Sequence, residues 1–166
     1  MVKKFRRFFL KEKEAKSFLK EASKKLTFDL SKIFNIKTNV EILETDFAKI
    51  FIINGKPLLL EIEKRIIPTL ISNKIFRWIP KVIVDMGAVP HLCNGADIMA
   101  PGIVGFEGEF KEGDLVFIVD EKHKKPIAVG ETLYNINAIK TISKGIVIRN
   151  THFVGDKIWK NILRIF

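Results

Sequence analysis

From Lys11 to Leu26 the apolar residues Ala15, Phe18, Leu19, Ala22 and Leu26 recur at steps of three and four with lysines between them, which predicts a helix with one apolar stripe. Asp29 or Ser31 is placed to cap a second short helix reaching Phe34. From Asn39 the period shortens to that of strands. "KIFIINGKPLLLEIE" holds two β-rich runs around Asn54-Gly55, a pair that tolerates positive φ at both turn positions, so a hairpin is predicted. "IPTLISNKIFRWIP" offers Pro68 as a helix start and Pro80 as a stop, with Ile71, Ile75, Trp78 and Ile79 as apolar contacts. Beyond Pro80 the apolar runs are short: Val82 to Val84, Ile98 to Ala100, Leu115 to Val119, Ile127 to Val129 and Ile146 to Ile148. With turn residues such as Glu112-Gly113-Asp114 between them, they predict a small barrel or sandwich, and "NINAIKTISKG" predicts one short helix ending at Gly145. The change of texture sets a domain boundary near Ile79, giving residues 1–78 and 79–166.

Composition narrows the class. A chain of 166 residues with 47% hydrophobic positions has enough apolar material for a packed core. No run of about eighteen apolar residues occurs, so no transmembrane helix is expected. "MVKKFRRFFLKEKEAK" returns to charge after three apolar residues, too soon for a signal peptide, and a cytoplasmic protein without membrane contact is expected. A single cysteine excludes an internal disulfide and the Cys-x-x-Cys pairs of a structural zinc site. The net charge of +10 is unevenly placed: residues 1–78 hold 18 Lys and Arg against 9 Asp and Glu, residues 79–166 hold 11 against 10. Such an excess in one half points to a polyanion partner, because cations that neutralise phosphates release condensed counterions.

"GAVPHLCNGADIMAPG" concentrates the candidate chemistry: the only cysteine, one of three histidines, an aspartate and Gly87, Gly95 and Gly102. His91 and Cys93 lie near each other, but His123 and His152 are in separate segments, so no metal site is expected. Cys93 reads as a half-buried core thiol rather than a nucleophile, and Asp85 and Asp97 as a strand end and a turn cap rather than an acid/base pair. Gly87 and Gly95 bracket a short helical stretch, Ala88 and Ala96 keep the following positions small, and Pro101-Gly102 closes the next strand. Glycines at such places allow positive φ or bring backbone close to a ligand, which makes N–H groups available to phosphate or base edges.

"VDMGAVPHLCNGADIMAPGI", followed by "FKEGDLVFIV", "PIAVGETL" and "KGIVIRNTHFVGDKIW", resembles a PUA domain, the RNA-binding fold of pseudouridine synthases and archaeosine transglycosylases. Upstream, "NGKPLLLE" and "IIPTLISNKI" are similar to the pre-PUA part of the small translation-associated proteins typified by the multiple-copies-in-T-cell-lymphoma protein and the N-terminal half of ligatin. The resemblance implies an α+β N-terminal (pre-PUA) domain followed by a mostly-β PUA pseudo-barrel. It also implies that RNA contacts come from Gly87, Ala88 and Val89 at the helix start and from Gly95, Ala96, Asp97, Met99 and Pro101 in the next segment. Charge and expected proximity add Lys81 and Arg149. His152 and Asp156, in the closing "NTHFVGD", are assigned a structural role, and Phe106, Phe110 and Tyr134 are aromatic candidates for stacking or core.

The implied function is a non-enzymatic RNA-binding protein of translation, without cofactor or catalytic residue. Its PUA domain would hold structured or single-stranded RNA, such as a tRNA acceptor end. Lys3, Lys4, Arg6, Arg7, Lys24 and Lys25 of the basic domain would grip ribosomal RNA on the small subunit, and Phe5, Phe8 and Phe9 interleave with the first four. A start-codon-selection-like partner would be a separate polypeptide. The alternatives are an accessory subunit or targeting module of an RNA-modification complex, and a scaffold whose protein partner carries the RNA contacts. Residues 1–78 lack histidine, cysteine and a glycine-rich cofactor loop, which disfavours a catalytic role.

Overall fold

The structure, a computed structural model, describes residues 5–35 and 37–166. It divides into two compact units, one reaching Trp78 and taking in Ile165 and Phe166, the other running Ile79–Arg164.

In the first unit the strand Arg6–Phe9 (β1) leads into the helix Glu12–Leu26 (α1). Four further strands, Val40–Glu44 (β2), Lys49–Ile53 (β3), Lys56–Ile62 (β4) and Arg65–Pro68 (β5), complete an antiparallel sheet in sequence order. The helix forms where the stripe predicts it: Ala15, Ala22 and Leu26 are buried, and the Phe18 ring stacks on Phe51 of β3 with centroids 4.1 Å apart. Glu12 and Glu14 open α1, and Lys24 and Lys25 close it, each sign complementing the helix dipole. Asp29 accepts a hydrogen bond from the Ser31 amide and caps a single 3-10 turn, Leu30–Lys32, where a helix to Phe34 was expected. Asn54 (φ 50°) and Gly55 (φ 82°) make the predicted tight turn between β3 and β4.

Pro68 departs from expectation. It ends β5 opposite Leu59 instead of starting a helix, and the helix Asn73–Phe76 (α2) begins later and lasts one turn. The reason is that β5 is an edge strand, where a missing N–H breaks no ladder, while Ile66, Ile67 and Pro68 all become buried. Ile75 and Ile79 are buried as expected, whereas Trp78 is half-exposed.

The second unit contains the strands Lys81–Val84 (β6), Ile98–Met99 (β7), Ile103–Glu107 (β8), Leu115–Asp120 (β9), Pro126–Thr132 (β10) and Ile146–Phe153 (β11). Three short or terminal helices accompany them, Val89–Leu92 (α3), Ile136–Ile139 (α4) and Lys157–Ile165 (α5). The sheet order is β7-β11-β10-β9-β6-β8, with β6–β9 the parallel pair. Its two outer strands, β7 and β8, are joined by the 3-10 turn Ala100–Gly102 alone. A link that short reaches about 14 Å, whereas six flat strands would separate the edges by about 24 Å. The sheet therefore curls into a pseudo-barrel, filled by Val82, Val84, Val116, Ile118, Val147 and Ile148, by Leu92 of α3, and by Ile136 and Ile139 of α4.

β8 and α5 have no counterpart in the sequence reading. β8 is half-exposed and interrupted by Gly105, so it lacks the apolar run by which the others were recognised. The helix α4 ends well before Gly145, whose φ of 88° serves the turn into β11.

Candidate nucleic-acid interface

Glycines and small residues around α3 leave a cleft of about 280 Å³ beside the barrel. Val84, Leu92 and Ile98 form its apolar floor, Ala88, Ala96 and Gly102 keep its walls low, and His91, Asp97 and Met99 line its mouth. Met99 is 51% exposed, a thioether held in solvent at the end of a two-residue strand. A β-carbon at Gly102 would stand 3.4 Å from that of Ala88, so both positions must stay small for the cleft to stay open.

The loop after α3 is pinned from β11. Asn150 donates through Nδ2 to the carbonyls of Leu92 (3.1 Å) and Ala96 (3.0 Å), and its amide donates to Asp97 Oδ1 at 2.9 Å. Phe153, three positions on, lies against Gly95, where a β-carbon would meet its ring at 3.3 Å. Strict alternation forbids two residues three apart from sharing a face; a β-bulge permits it. The register passes from Val129↔His152 to Gly130↔Asn150, leaving Thr151 as the extra residue. Gly95, with φ 91°, supplies the left-handed turn that ends the helical stretch.

Of the ten predicted contacts in this half, Ala88, Ala96, Asp97 and Met99 line the cleft. Gly87 and Pro101 are exposed beside it, Gly95 holds the turn, and Val89 packs against the barrel core. Arg149 is exposed and adjoins Ile148, the partner of Ile98 in β7. Lys81 begins β6, at the end remote from Val84, and donates to the Ile79 carbonyl at 2.9 Å. Burial pushes its ammonium pKa down, and Glu107 partly offsets the effect.

One expectation is narrowed and another corrected. Gly87 has no positive φ, and a β-carbon there would make only ordinary contact, at 3.4 Å, with Asp85, so of the two reasons for a glycine only close approach of a ligand applies to it. The amides of Ala88, Gly95 and Ala96 are not open to a ligand: they donate to Asp85 Oδ1 (2.8 Å), Leu92 O (3.0 Å) and His91 O (3.0 Å). The small residues thus shape an apolar slot instead of an anion nest. Its polar groups are the His91 ring, weighed from sequence only as a metal ligand or base, and the Asp97 carboxylate. A slot with a carboxylate at its mouth favours the flat face and amino edge of a base over a phosphate.

The phosphate contacts predicted in the first unit are, where the structure describes them, already engaged. Lys3 and Lys4 lie outside the described residues. Arg7 forms a fork with Glu41, whose hydrogen bonding raises the guanidinium pKa against a smaller opposing effect of burial. Arg6 pairs with Glu44 at 4.0 Å, Lys24 with Glu21 at 3.8 Å, and Lys25 donates to the Lys64 carbonyl at 3.4 Å.

Cys93 is half-buried, and burial pushes its thiol pKa up, which disfavours the thiolate a nucleophile needs. His152 is fully buried and its Nδ1 is 2.7 Å from Asp156 Oδ2; the same oxygen accepts the Phe153 amide, while Oδ1 accepts the Trp159 amide and caps α5. Burial raises the Asp156 pKa, but the His152 bond, its charge and the two amides outweigh it, leaving the carboxyl below the usual range. Phe110 is core, Phe106 is partly buried 6.1 Å from it, and Tyr134 is exposed. Among the described residues no three His, Cys, Asp or Glu side chains cluster as a metal site, and no helix is long and apolar enough to cross a membrane.

Comparison with known proteins bears on both units. Residues 80–154 match the family model of the PUA domain, and residues 6–72 match a domain of unknown function, DUF1947. An uncharacterized protein of Methanocaldococcus jannaschii is 43% identical over 158 residues, spanning 93% of this chain and 95% of that one. Translation machinery-associated protein 20 of Schizosaccharomyces pombe is 34% identical over 120 residues, 69% of this chain and 66% of its own. The crystal structure of a PUA domain from Aeropyrum pernix K1, a tartrate complex, superposes with a TM-score of 0.84 at 31% identity, covering 97% of this chain and 92% of that one.

Proposed function

Because this chain belongs to the family of PUA-domain proteins, carriers of an RNA-binding module, we propose that it is a non-enzymatic RNA-binding protein of translation whose α3–β7 cleft takes a nucleotide base from an exposed RNA end. The observation that carries this reading is the open apolar slot bounded by Ala88, Ala96 and Gly102, with Asp97 and His91 at its mouth. Its volume of about 280 Å³ has room for one unstacked base, and the carboxylate suits an exocyclic amino group such as that of cytosine or adenine. The tRNA acceptor end is the favoured ligand. The match to translation machinery-associated protein 20 supports work on the translation machinery; the reading extends this to the cytoplasm and the small ribosomal subunit, with a start-codon-selection-like protein as partner and the basic unit docking on ribosomal RNA.

The test is fluorescence anisotropy with intact tRNA, tRNA lacking its terminal nucleotides, and duplex DNA at physiological salt. Intact tRNA binds at least tenfold more tightly than the other two, and Ala88→Trp or Ala96→Trp abolishes that preference while circular dichroism stays unchanged. Equal binding of trimmed tRNA, or of the folded tryptophan variants, would overturn the reading. It would favour a targeting module of a modification complex that docks elsewhere on the RNA.

A further inference from the structure

The geometry points to a second nucleotide site on the first unit: a stacking platform at Trp78 ringed by Lys32, Lys74 and Arg77, which takes single-stranded RNA by one base and its flanking phosphates. One face of the Trp78 indole lies on Phe28, with centroids 5.1 Å apart and planes 21° from parallel. Even so, half of Trp78 (50%) remains exposed, an unusual amount for so large an apolar side chain. The indole borders a pocket of about 360 Å³ whose other walls are Lys32, Ile33, Asn73, Lys74 and Arg77, three cations and no acid. Lys32 Nζ is 5.8 Å from the indole centroid, near the ring and beyond ion-pair distance of any described carboxylate, although Asp29 lies close enough to feel its charge.

These cations contrast with those read from the sequence. Arg6, Arg7 and Lys24 each pair with a carboxylate, whereas among the described residues Lys32, Lys74 and Arg77 form no ion pair. A supported indole with half its surface exposed, next to three cations of which Lys74 and Arg77 have no carboxylate partner, matches how single strands are held: a base on the ring and phosphates on the charges. An acidic peptide is the weaker fit, because Ile33 is the one aliphatic wall and an apolar anchor finds no enclosed groove. The inference rests on the reading that this protein binds RNA and adds a contact on the other unit, to the strand beyond the base in the cleft or to a second RNA.

The protein has two tryptophans, so Trp159→Phe leaves Trp78 as the sole indole reporter. Titrating that full-length variant with a twelve-nucleotide oligoadenylate quenches its fluorescence saturably and less at high salt. Trp78→Ala weakens oligonucleotide affinity about tenfold, Trp78→Phe restores most of it, and Lys74→Glu with Arg77→Glu weakens it at least as much. Quenching persists when Ala96→Phe is added to the Trp159→Phe variant, which blocks the cleft without a second indole, so loss of this platform and loss of the cleft reading are separately visible. RNA that binds without quenching Trp78, Trp78→Ala binding as tightly as wild type, or polyglutamate competing as well as the oligonucleotide each overturns the proposal; the last would make the surface a peptide site. Because Trp78 is half-exposed, loss of fold is not expected to mimic the effect, and circular dichroism checks it.

Discussion

Asp156 does three jobs with two oxygens: it caps α5, accepts the Phe153 amide and holds the His152 ring. Asp156→Ala should cost about 1–2 kcal/mol through the cap, read as a lower urea midpoint. Its depressed pKa fixes the sign of the pH effect. The folded state binds the proton less readily than the unfolded chain, so the carboxylate's contribution is complete above the unfolded value of about 3.9 and is lost as pH falls below it through the folded value. Stability should therefore fall more steeply below about pH 4 in wild type than in Asp156→Asn. Cys93 obeys the opposite logic, since burial favours the neutral thiol, and iodoacetamide at pH 8 should alkylate it more slowly than a cysteine in a short peptide. The "NTHFVGD" segment was legible as structural from its buried-polar character; which atoms it bonds was not, because one partner, Trp159, lies on a helix the sequence pattern did not reveal and the others depend on the turn after β11.

The bulge at Thr151 ties the loop between α3 and β7 to the barrel. Asn150→Ala removes two hydrogen bonds to the carbonyls of Leu92 and Ala96, at about 1 kcal/mol each. Amide exchange at Gly95 and Ala96 should accelerate and RNA affinity should drop even though Asn150 does not line the cleft. Across from it, a β-carbon at Gly130 would stand 2.4 Å from Ile148 Cγ2 and 3.2 Å from the Arg149 carbonyl. Gly130→Ala should thus destabilise by about 1–3 kcal/mol, measured by thermal melting, although nothing in "PIAVGETL" marks this glycine as more constrained than its neighbours. The Asn54-Gly55 hairpin stands at the other extreme: its turn chemistry is local, so two residues suffice to predict it. Pro68 misled because the same residue suits a helix start and a sheet edge, and only the neighbouring strand β4 separates the two.

Charge acts through the molecule's field, and its distribution decides which cations are free to meet a polyanion. For a single strand, log K falls with log salt by about 0.7 per neutralised phosphate. Replacing Lys74 and Arg77 by alanine should flatten that slope by roughly 1.4, while Arg7→Ala, already forked with Glu41, should change it little and instead lower the stability of the β1–β2 pair. A salt titration of the three proteins against one oligonucleotide separates these outcomes. The clustering of charge in residues 1–78 was readable as a sum; which cations remain unpaired depends on the acids that folding brings alongside them.

Periodicity, turn dipeptides and charge content are local or additive properties, and they were enough to establish an α+β first half, a β-rich second half and the hairpin, and to raise the expectation of a polyanion partner. Curling of the sheet, the Thr151 bulge, the closure of the Ala88 and Ala96 amides, and the stacking of Trp78 on Phe28 join residues distant along the chain. Such contacts arise only when strands find their register and helices their seats, because a hydrogen bond or a ring contact needs both partners placed within a few ångströms.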